Sequence, residues 1–202
     1  IKDVRPDVVL NLAAYTNVDE CEDCLSLADR VNAEAAGIVA KLCNDHNIKL
    51  IHISTDYVFD GKKETPYKED DEPNPASVYG LSKLSGEKKV LDNCPDATII
   101  RTQWLYGHGG VNFITKITQI AKEHGVAEVV NDQRGCPTYT KDLAEPIKLL
   151  IERNRAGIYH VANAGYCTWF DFAQEIFSSL HIDVALKPIT SEQLNRKANR
   201  PR

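Results

Sequence analysis

Apolar residues recur along the 202-residue chain in two patterns, short continuous runs and a longer stretch with helical spacing. Continuous apolar runs of this length are typical of parallel strands that are covered on both faces. They span residues 6–14, 48–54, 97–102 and 157–161. Residues 25–46 instead place an apolar stripe on one helix face. A strand, a helix and a strand of these lengths predict a right-handed βαβ unit with a parallel sheet, and therefore an α/β fold.

The second half of the chain alternates shorter elements with polar turns. We expect two helices, over residues 111–123 and 142–153, and two short strands, over residues 128–130 and 183–187. Thr168 is placed to cap a helix over residues 169–180, and Asp171 stands three residues later, where a capping box has its acid. We expect the polar tail after Thr190 to be poorly ordered.

Candidate chemistry lies where the second apolar run ends. Thr55 closes this predicted strand. Tyr79 and Lys83 stand four residues apart at the start of a predicted helix, so they share one helix face. A lysine ammonium beside a phenol favours the phenolate, so we expect Lys83 to lower the pKa of Tyr79 from about 10. Together with the Thr55 hydroxyl, these groups are suited to deliver a proton to a carbonyl that is being reduced. A Tyr-x-x-x-Lys pair alone is more often a half-buried tyrosine beside a solvated lysine.

Composition and charge exclude several classes of function. Apolar residues make up 43% and charged residues 26% of the chain, which is typical of a globular protein with a sizeable core. The net charge of −5 is spread along the chain, and no basic stripe indicates a nucleic acid partner. No apolar run approaches the roughly 18 residues that cross a bilayer, and no signal peptide is evident. We therefore expect a cytoplasmic protein with no membrane partner.

Cys21 and Cys24 form a Cys-x-x-Cys pair, a spacing found in metal and redox sites. No second pair of this kind accompanies it, so reduced thiols at the start of a helix are the favoured interpretation. The acidic run over residues 69–72 is likewise interpreted as a solvated face rather than a metal site.

Four motifs stand in a fixed order along the chain. They are Ile53-Ser54-Thr55-Asp56-Tyr57-Val58-Phe59-Asp60-Gly61, Tyr79-Gly80-x-Ser82-Lys83-x-x-Gly86-Glu87, Arg101-Thr102-x-Trp104-x-Tyr106-Gly107 and Asp132-Gln133-x-Gly135-x-Pro137-Thr138. This set resembles the extended short-chain dehydrogenases/reductases and, more narrowly, the dTDP-4-dehydrorhamnose reductase family. The resemblance covers nearly the whole chain, from Pro6 to Arg202.

The resemblance implies a doubly wound, Rossmann-like parallel sheet and a definite reaction. Members of this family reduce the C4 keto group of dTDP-4-dehydro-L-rhamnose with NADPH or NADH, and the dTDP-L-rhamnose that results is used for cell-surface polysaccharide. The resemblance implies that Tyr79 donates the proton, that Lys83 bonds the nicotinamide ribose and that Thr55 orients the ketone. We therefore expect an NAD(P)H-dependent oxidoreductase that acts on a dTDP-keto sugar.

The resemblance also assigns binding residues, position by position. The cofactor-binding set is Ala13, Ala14, Tyr15, Thr16, Ser54, Tyr79 and Lys83. The substrate-binding set is Thr55, Asp56, Tyr57, Trp104, Gln133, Gly135 and Thr138. Judged from the residues alone, Ala13 and Ala14 fit a simple strand-to-helix turn equally well, and Trp104 fits a core tryptophan equally well.

The chain begins Ile1-Lys2-Asp3 rather than with Met, and it has no glycine-rich dinucleotide-binding turn. Compared with the family, we expect a fragment that lacks the N-terminal strand-turn-helix and the C-terminal end, and that by itself binds cofactor weakly. We expect a partial dinucleotide-binding domain over residues 1–104, to which residues 139–163 return. A smaller substrate-binding α/β subdomain is expected over residues 105–138 and 164–202.

Two other interpretations stay open. A nucleotide-sugar epimerase or dehydratase of the same superfamily shares the Tyr-x-x-x-Lys pair. The beta subunit of methionine adenosyltransferase is a non-catalytic, regulatory relative that keeps the first two motifs. The motifs at Trp104 and at residues 132–138 favour the reductase. Family resemblance alone suggests a homodimer and a magnesium ion at a subunit interface, since no metal ligand set is evident in the sequence.

Overall fold

A computed structural model of the chain describes residue 1 and residues 3–201. Its α-helices, α1 to α8, span Val18–Cys21, Leu25–Asp29, Ala35–Asp45, Val78–Asn93, Phe113–His124, Thr140–Glu152, Trp169–Ser179 and Ser191–Leu194. Its strands, β1 to β10, span Val8–Asn11, Lys49–Thr55, Thr98–Thr102, Leu105–Tyr106, Val126–Val130, Arg134–Gly135, Thr138–Tyr139, Gly157–His160, Cys167–Thr168 and Ala185–Ile189. A π-helical turn, Arg30–Glu34, joins α2 to α3, and a 3₁₀ turn, Asp56–Val58, follows β2.

The chain folds into two compact units. The first unit consists of Ile1–Thr102, Glu145–Val161 and Lys197–Pro201. The second unit consists of Gln103–Ala144 and Ala162–Arg196. The assignment of cofactor binding to residues 1–104 and 139–163, and of substrate binding to residues 105–138 and 164–202, stays a prediction.

A four-stranded sheet in the order β1-β2-β3-β8 forms the centre of the first unit. Ile99 of β3 is the register partner of His52 on β2 and of Ile158 on β8. All neighbouring strands of this sheet run parallel, so their carboxyl ends meet at one edge. The predicted α/β fold with a parallel sheet is confirmed, and it places the ends of β2 and β3, Thr55 and Thr102, side by side.

The core beside this sheet combines aliphatic strand residues with small helix residues. Leu50 and Ile99 are fully buried and pack against Val90 of α4 and the alanines of α3. Burying a side chain of this size stabilises the fold by roughly 1.5–3 kcal/mol. Gly86 lets α4 approach closely, because a Cβ there would lie 2.2 Å from the carbonyl oxygen of Asn32. This contact fixes α4 against the π-helical turn.

The long helix predicted over residues 25–46 is present, although it is not uniform. α2 passes through the π-helical turn before α3 begins, and the buried Asn32 lies in that turn. Its Oδ1 accepts a hydrogen bond from Tyr15 N at 2.7 Å, and its Nδ2 donates to Ser82 Oγ at 2.9 Å. One amide side chain therefore ties the turn after β1 to α4.

The second unit is built from short strand pairs and two amphipathic helices, α5 and α7. β5 pairs with β10 and β4 with β7 in parallel, whereas β6 and β9 are antiparallel. Ile117, Val129 and Phe177 belong to its buried core. Thr168 Oγ1 accepts from Asp171 N at 3.0 Å, and the Asp171 carboxylate accepts from Thr168 N at 2.9 Å. The predicted capping box of α7 is therefore confirmed.

The tail after Thr190 forms a short helix and specific hydrogen bonds over residues 191–201, which the structure describes. Thr190 caps α8 through a capping box. In the first unit, Ala198 N donates to Asp19 Oδ1 at 3.1 Å and Arg200 Nη2 donates to Asp19 Oδ2 at 2.9 Å. The expectation of a poorly ordered tail is wrong, because these polar residues find partners on α1.

Candidate active site

Tyr79 and Thr55 come together at the carboxyl end of β2. α4 begins after Ser77, whose hydroxyl accepts a hydrogen bond from Gly80 N at 3.2 Å. Tyr79 therefore lies in the first turn of α4, and its hydroxyl is close enough to the Thr55 side chain for Thr55 to act on the pKa of the phenol. Gly80 packs directly on the turn after β2, because a Cβ there would lie 2.2 Å from the Tyr57 carbonyl oxygen. The close packing brings the helix start to the strand end.

Burial sets the protonation of Tyr79. Its side chain is 9% exposed, and burial raises the pKa of the phenol to about 12, although the hydrogen bond with Thr55 acts in the lowering direction. The sequence predicts that Lys83 lowers this pKa, and the predicted direction is wrong. The cause is that a low-polarity surrounding penalises the charged phenolate. Tyr79 is therefore a neutral phenol around pH 7.

Lys83 lies one turn further along α4 and is 2% exposed. Its Nζ donates a hydrogen bond to the Ile53 carbonyl oxygen at 2.7 Å and lies 3.4 Å from His52 Nε2. Burial lowers the pKa of Lys83 to about 8, whereas the charge of Glu87 acts in the opposite direction. The amine is thus held against β2. Sequence reasoning missed His52, because a histidine inside an apolar run is as typical of a buried core residue as of a functional one.

A buried ion pair lies one further turn along α4. The Glu87 carboxylate accepts hydrogen bonds from Arg101 Nη2 at 2.7 Å and from Arg101 Nε at 3.0 Å. Ser54 Oγ donates to the same carboxylate. The hydroxyl of Ser54 is therefore directed into the packing of α4, and the cofactor role of this residue stays a prediction. Glu87 and Arg101 belong to the quoted motifs, but the sequence did not indicate that they pair.

Asp56 and Tyr57, two predicted substrate residues, lie beside Tyr79. Thr55 Oγ1 donates a hydrogen bond to Asp56 Oδ1 at 3.1 Å, and burial raises the pKa of the Asp56 carboxyl to about 6. The Tyr57 ring meets the Tyr79 ring edge to face, with 5.3 Å between centroids. Thr55, Asp56, Tyr57 and Tyr79 are therefore brought together at one place.

Arg200 joins this group from the C-terminal tail. Its positive charge lies close enough to Tyr57 to act on the pKa of that phenol in the lowering direction, and its Nη2 donates to the Asp19 carboxylate. Sequence reasoning missed Arg200, since no local pattern links a residue of the polar tail to the strand end at Tyr57.

The turn that follows β1 contains four predicted cofactor residues, Ala13, Ala14, Tyr15 and Thr16. The side chains of Ala13 and Thr16 are exposed. Asn11 Oδ1 accepts a hydrogen bond from Ala13 N at 3.2 Å. The Tyr15 hydroxyl donates to Glu20 at 2.7 Å, and this bond raises the pKa of Tyr15 to about 12. The polar groups of this turn thus hold it in place, and its small side chains are left exposed to solvent.

In the second unit, Trp104 contacts both Trp169 and Gly135. The two indoles stack with 3.4 Å between centroids and 10° between planes. A Cβ at Gly135 would lie 2.4 Å from the Trp104 ring, so a larger residue has no room. Trp104 has a φ of +47°, in the left-handed region that is costly for a residue with a Cβ. Sequence reasoning missed Trp169, whose only local signal is its position directly after an N-cap.

Thr138 and Gln133 are both buried in the second unit. Thr138 N donates a hydrogen bond to the Trp104 carbonyl oxygen at 3.1 Å. Gln133 Nε2 donates to Ser191 Oγ at 2.8 Å. The structure therefore brings Trp104, Gly135 and Thr138 together and ties Gln133 to the start of α8.

Over residue 1 and residues 3–201, no group of three or more His, Cys, Asp or Glu side chains is arranged to hold a metal ion. Within the acidic run, Glu69 accepts a hydrogen bond from His160 N at 2.9 Å. All six cysteines are free thiols, with Cys21 buried and Cys24 exposed. None of the described helices combines the length and the apolar character that a membrane crossing demands.

The chain is similar to a polysaccharide biosynthesis protein and to proteins named dTDP-4-dehydrorhamnose reductase. It is 44% identical over 197 residues to the spore coat polysaccharide biosynthesis protein SpsK of Bacillus subtilis, which covers 98% of this chain and 69% of that protein. It is also 44% identical over 205 residues to the dTDP-4-dehydrorhamnose reductase of Streptomyces griseus, with 98% of this chain and 67% of that protein covered.

The fold is similar to solved structures as well. The crystal structure of dTDP-4-dehydrorhamnose reductase from Bacillus anthracis in complex with NADP superposes with a TM-score of 0.96 and 41% sequence identity. The match covers 99% of this chain and 71% of that one. The family model described as the RmlD substrate binding domain matches residues 1–202. The chain belongs to the RmlD substrate binding domain family.

Proposed function

We propose that the protein reduces the C4 keto group of dTDP-4-dehydro-L-rhamnose with NADPH or NADH, giving dTDP-L-rhamnose for cell-surface polysaccharide. The observation that carries this proposal is the proximity of the Tyr79 and Thr55 side chains at the carboxyl end of β2. A phenol and a hydroxyl that lie this close can both reach one ketone oxygen. The relatives named dTDP-4-dehydrorhamnose reductase support the choice of substrate.

Tyr79 acts as the proton donor in this proposal. With a pKa of about 12 it is a phenol around pH 7, which is the state that a donor to a developing alkoxide requires. Thr55 hydrogen-bonds the ketone oxygen and orients the carbonyl. Asp56 and Tyr57 contact the sugar in this proposal, because Asp56 is hydrogen-bonded to Thr55 and the Tyr57 ring packs against the Tyr79 ring.

The edge of the sheet in the first unit fits a reduced pyridine nucleotide. The turn after β1 presents small, exposed side chains at the carboxyl end of a parallel strand, which is where open α/β sheets bind ligands. The bound nucleotide would supply the hydride. Lys83 would bond its nicotinamide ribose, and the remaining cofactor contacts would come from Ala13, Ala14, Tyr15, Thr16 and Ser54. The Bacillus anthracis relative in complex with NADP supports this assignment.

The second unit supplies the sugar-nucleotide contacts in this proposal. Trp104 is backed by a stacked Trp169, so it offers a rigid aromatic face to a sugar or a base. Gly135 and Thr138 shape the surroundings of that indole, and Gln133 contributes an amide. The predicted division into a cofactor-binding part and a substrate-binding part is kept on these grounds.

An assay of reduced-cofactor consumption tests the function. The purified protein is mixed with NADPH or NADH and with dTDP-4-dehydro-L-rhamnose, and the product is identified by mass and by NMR. We expect cofactor oxidation together with dTDP-L-rhamnose. Conversion of the sugar without net cofactor oxidation would instead indicate an epimerase or a dehydratase. Absence of any turnover, together with binding of a methionine adenosyltransferase in a pull-down, would indicate a regulatory subunit.

We also propose a cytoplasmic protein that forms a homodimer. The free thiols suit a reducing compartment. Sedimentation velocity measures the oligomeric state, and a monomer over the whole concentration range would contradict the dimer.

A further inference from the structure

Trp104 has a backbone conformation that needs support from other residues. Its φ of +47° lies in the left-handed region, which residues with a bulky side chain rarely adopt. Such a conformation persists only where surrounding contacts hold the residue, and residues of this kind cluster at ligand-binding sites. Trp104 is also only half-buried, so part of its indole is open to a ligand. Contacts with other residues must therefore hold Trp104 in this conformation.

The backbone on either side of the indole is tied to one segment, residues 134–139. The Trp104 carbonyl oxygen accepts a hydrogen bond from Thr138 N at 3.1 Å, at the start of the pairing between β4 and β7. Gln103 Oε1 accepts from Cys136 N at 3.2 Å. These bonds fix the main chain around Trp104, whereas its indole is held by a different contact.

The same segment brings Trp169 to the indole. Gly135 of β6 is the register partner of Cys167 of β9, and α7 begins with Trp169 directly after β9. The capping box of Thr168 fixes this first residue of the helix. The Trp169 indole then stacks on the Trp104 indole, with 3.4 Å between centroids and 10° between planes. Two different strand pairs of one segment therefore place the two tryptophans against each other.

Trp169 is itself anchored in the second unit. Its ring lies 4.5 Å from that of Phe113 and 6.4 Å from that of Phe172, measured between centroids. All three side chains pack against the buried core around Ile117, Val129 and Phe177. A pair of stacked aromatic rings contributes more than the area that it buries. The anchored Trp169 ring therefore favours the one conformation of Trp104 that keeps the two indoles parallel.

We propose that Trp169 is a positioning residue for the sugar nucleotide: it holds Trp104 in its left-handed conformation and so fixes the aromatic face that the substrate contacts. This inference rests on the proposed function, in which Trp104 contacts a sugar or a base. Trp169 acts through Trp104, whereas the proton donor is Tyr79. Its effect is therefore expected in substrate binding and not in the chemical step.

The stack and the backbone are both measured in the unmodified protein, without substrate or cofactor. The chain contains only two tryptophans, so a paired positive and negative circular dichroism band of coupled indoles comes from Trp104 and Trp169. A positive φ brings the amide proton close to the α proton, so we expect a strong nuclear Overhauser effect within residue 104 in NMR. Absence of either signal would overturn the proposal.

Trp169→Leu removes the stacked ring and keeps an apolar side chain in the core. We expect loss of the paired band and a weaker nuclear Overhauser effect within residue 104, because Trp104 relaxes to a negative φ. The dissociation constant for dTDP-L-rhamnose, measured by calorimetry, should rise about tenfold. In the cofactor oxidation assay, KM should rise to a similar degree while kcat stays within about twofold.

Trp169→Phe is the conservative variant, because it keeps an aromatic ring beside Trp104. It should lose the paired band of two indoles but keep the strong nuclear Overhauser effect within residue 104 and most of the affinity. Phe172→Leu is the matched control, since it removes a ring that packs on Tyr106, Phe113 and Trp169 in the same core. It should keep both signals and the affinity of the unmodified protein.

Two results for Trp169→Leu would refute the proposal. One is a positive φ at Trp104 that persists, and the other is an affinity for dTDP-L-rhamnose equal to that of Phe172→Leu. Should Trp169→Leu not fold, Trp169→Met is judged by the same measurements. Failure of the unmodified protein to bind dTDP-L-rhamnose would contradict the proposed function instead, and the two spectroscopic signals would still decide whether Trp169 holds Trp104.

Discussion

The Glu87 carboxylate and the Arg101 guanidinium form a bidentate ion pair inside the first unit, where neither side chain is more than 3% exposed. Glu87→Gln removes the negative charge at nearly constant volume and leaves Arg101 charged and buried. We expect a loss of about 3–5 kcal/mol in the free energy of unfolding, because an uncompensated buried charge is costly. Urea unfolding followed by circular dichroism measures it.

The matched control is the exposed pair of Lys41 and Asp45 on α3. Lys41→Met should change the free energy of unfolding by less than about 1 kcal/mol, because water screens this pair. Equal losses in the free energy of unfolding for Glu87→Gln and Lys41→Met would show that the buried pair contributes no more to stability than the exposed pair.

Replacing Tyr79 with phenylalanine removes the proposed proton donor and keeps the ring. We expect kcat to fall by about 10²–10⁴, the usual size of a general-acid contribution. The measurement is cofactor oxidation with the keto sugar. Tyr166→Phe, at a side chain that is 74% exposed, should leave kcat unchanged. Activity of Tyr79→Phe within roughly threefold of the unmodified protein would remove Tyr79 from the donor role.

Gly135→Ala tests the packing of Trp104 in the second unit. The new Cβ would lie 2.4 Å from the indole, so the stacked pair with Trp169 must shift. We expect a loss of stability of about 1–3 kcal/mol, as for other overpacked sites, and a change in the near-ultraviolet circular dichroism of tryptophan. Gly110→Ala is the control, because nothing lies within 4 Å of a Cβ there. Identical spectra for both variants would contradict the packing argument.

His52 should make the protein sensitive to acid. Its pKa is lowered from 6.5 to about 3 by burial and by the charge of Lys83, so the unfolded chain binds a proton that the folded one does not between these values. The associated stability is fully present above pH 6.5 and is lost as the pH falls toward about 3. We expect His52→Gln to lose less free energy of unfolding over this range than the unmodified protein.

The acid effect is read from urea unfolding at several pH values, because the slope with pH does not depend on the absolute stability of a variant. His46→Gln, at an exposed residue after α3, is the control for the loss of an imidazole from the surface. A slope of His52→Gln equal to that of the unmodified protein would show that His52 does not titrate between the two states.

Local patterns predicted the framework well. The apolar runs gave β2, β3 and β8 to within a residue or two at each end, and the Thr168 capping box was found because it depends on residues three apart. The spacing of Tyr79 and Lys83 correctly placed both on one helix. Sequence periodicity can identify the helices and strands that are determined by residues close together in the chain.

Features that depend on packing could not be predicted from the sequence. The direction of the Tyr79 pKa was wrong because spacing along a helix says nothing about burial. The contact of His52 with Lys83 and the stacking of Trp169 on Trp104 join residues that are distant in the chain. The polarity of the tail suggested disorder, whereas Arg200 has fixed partners in Tyr57 and Asp19.

The anchoring of Arg200 has a consequence for the residues that it contacts. Replacing Arg200 with a neutral residue would take a positive charge away from Tyr57 and an ion pair away from Asp19. The Tyr57 ring, which packs against the Tyr79 ring, would then be held less firmly. The surroundings of the Tyr79 phenol thus depend in part on a residue that is distant in the chain.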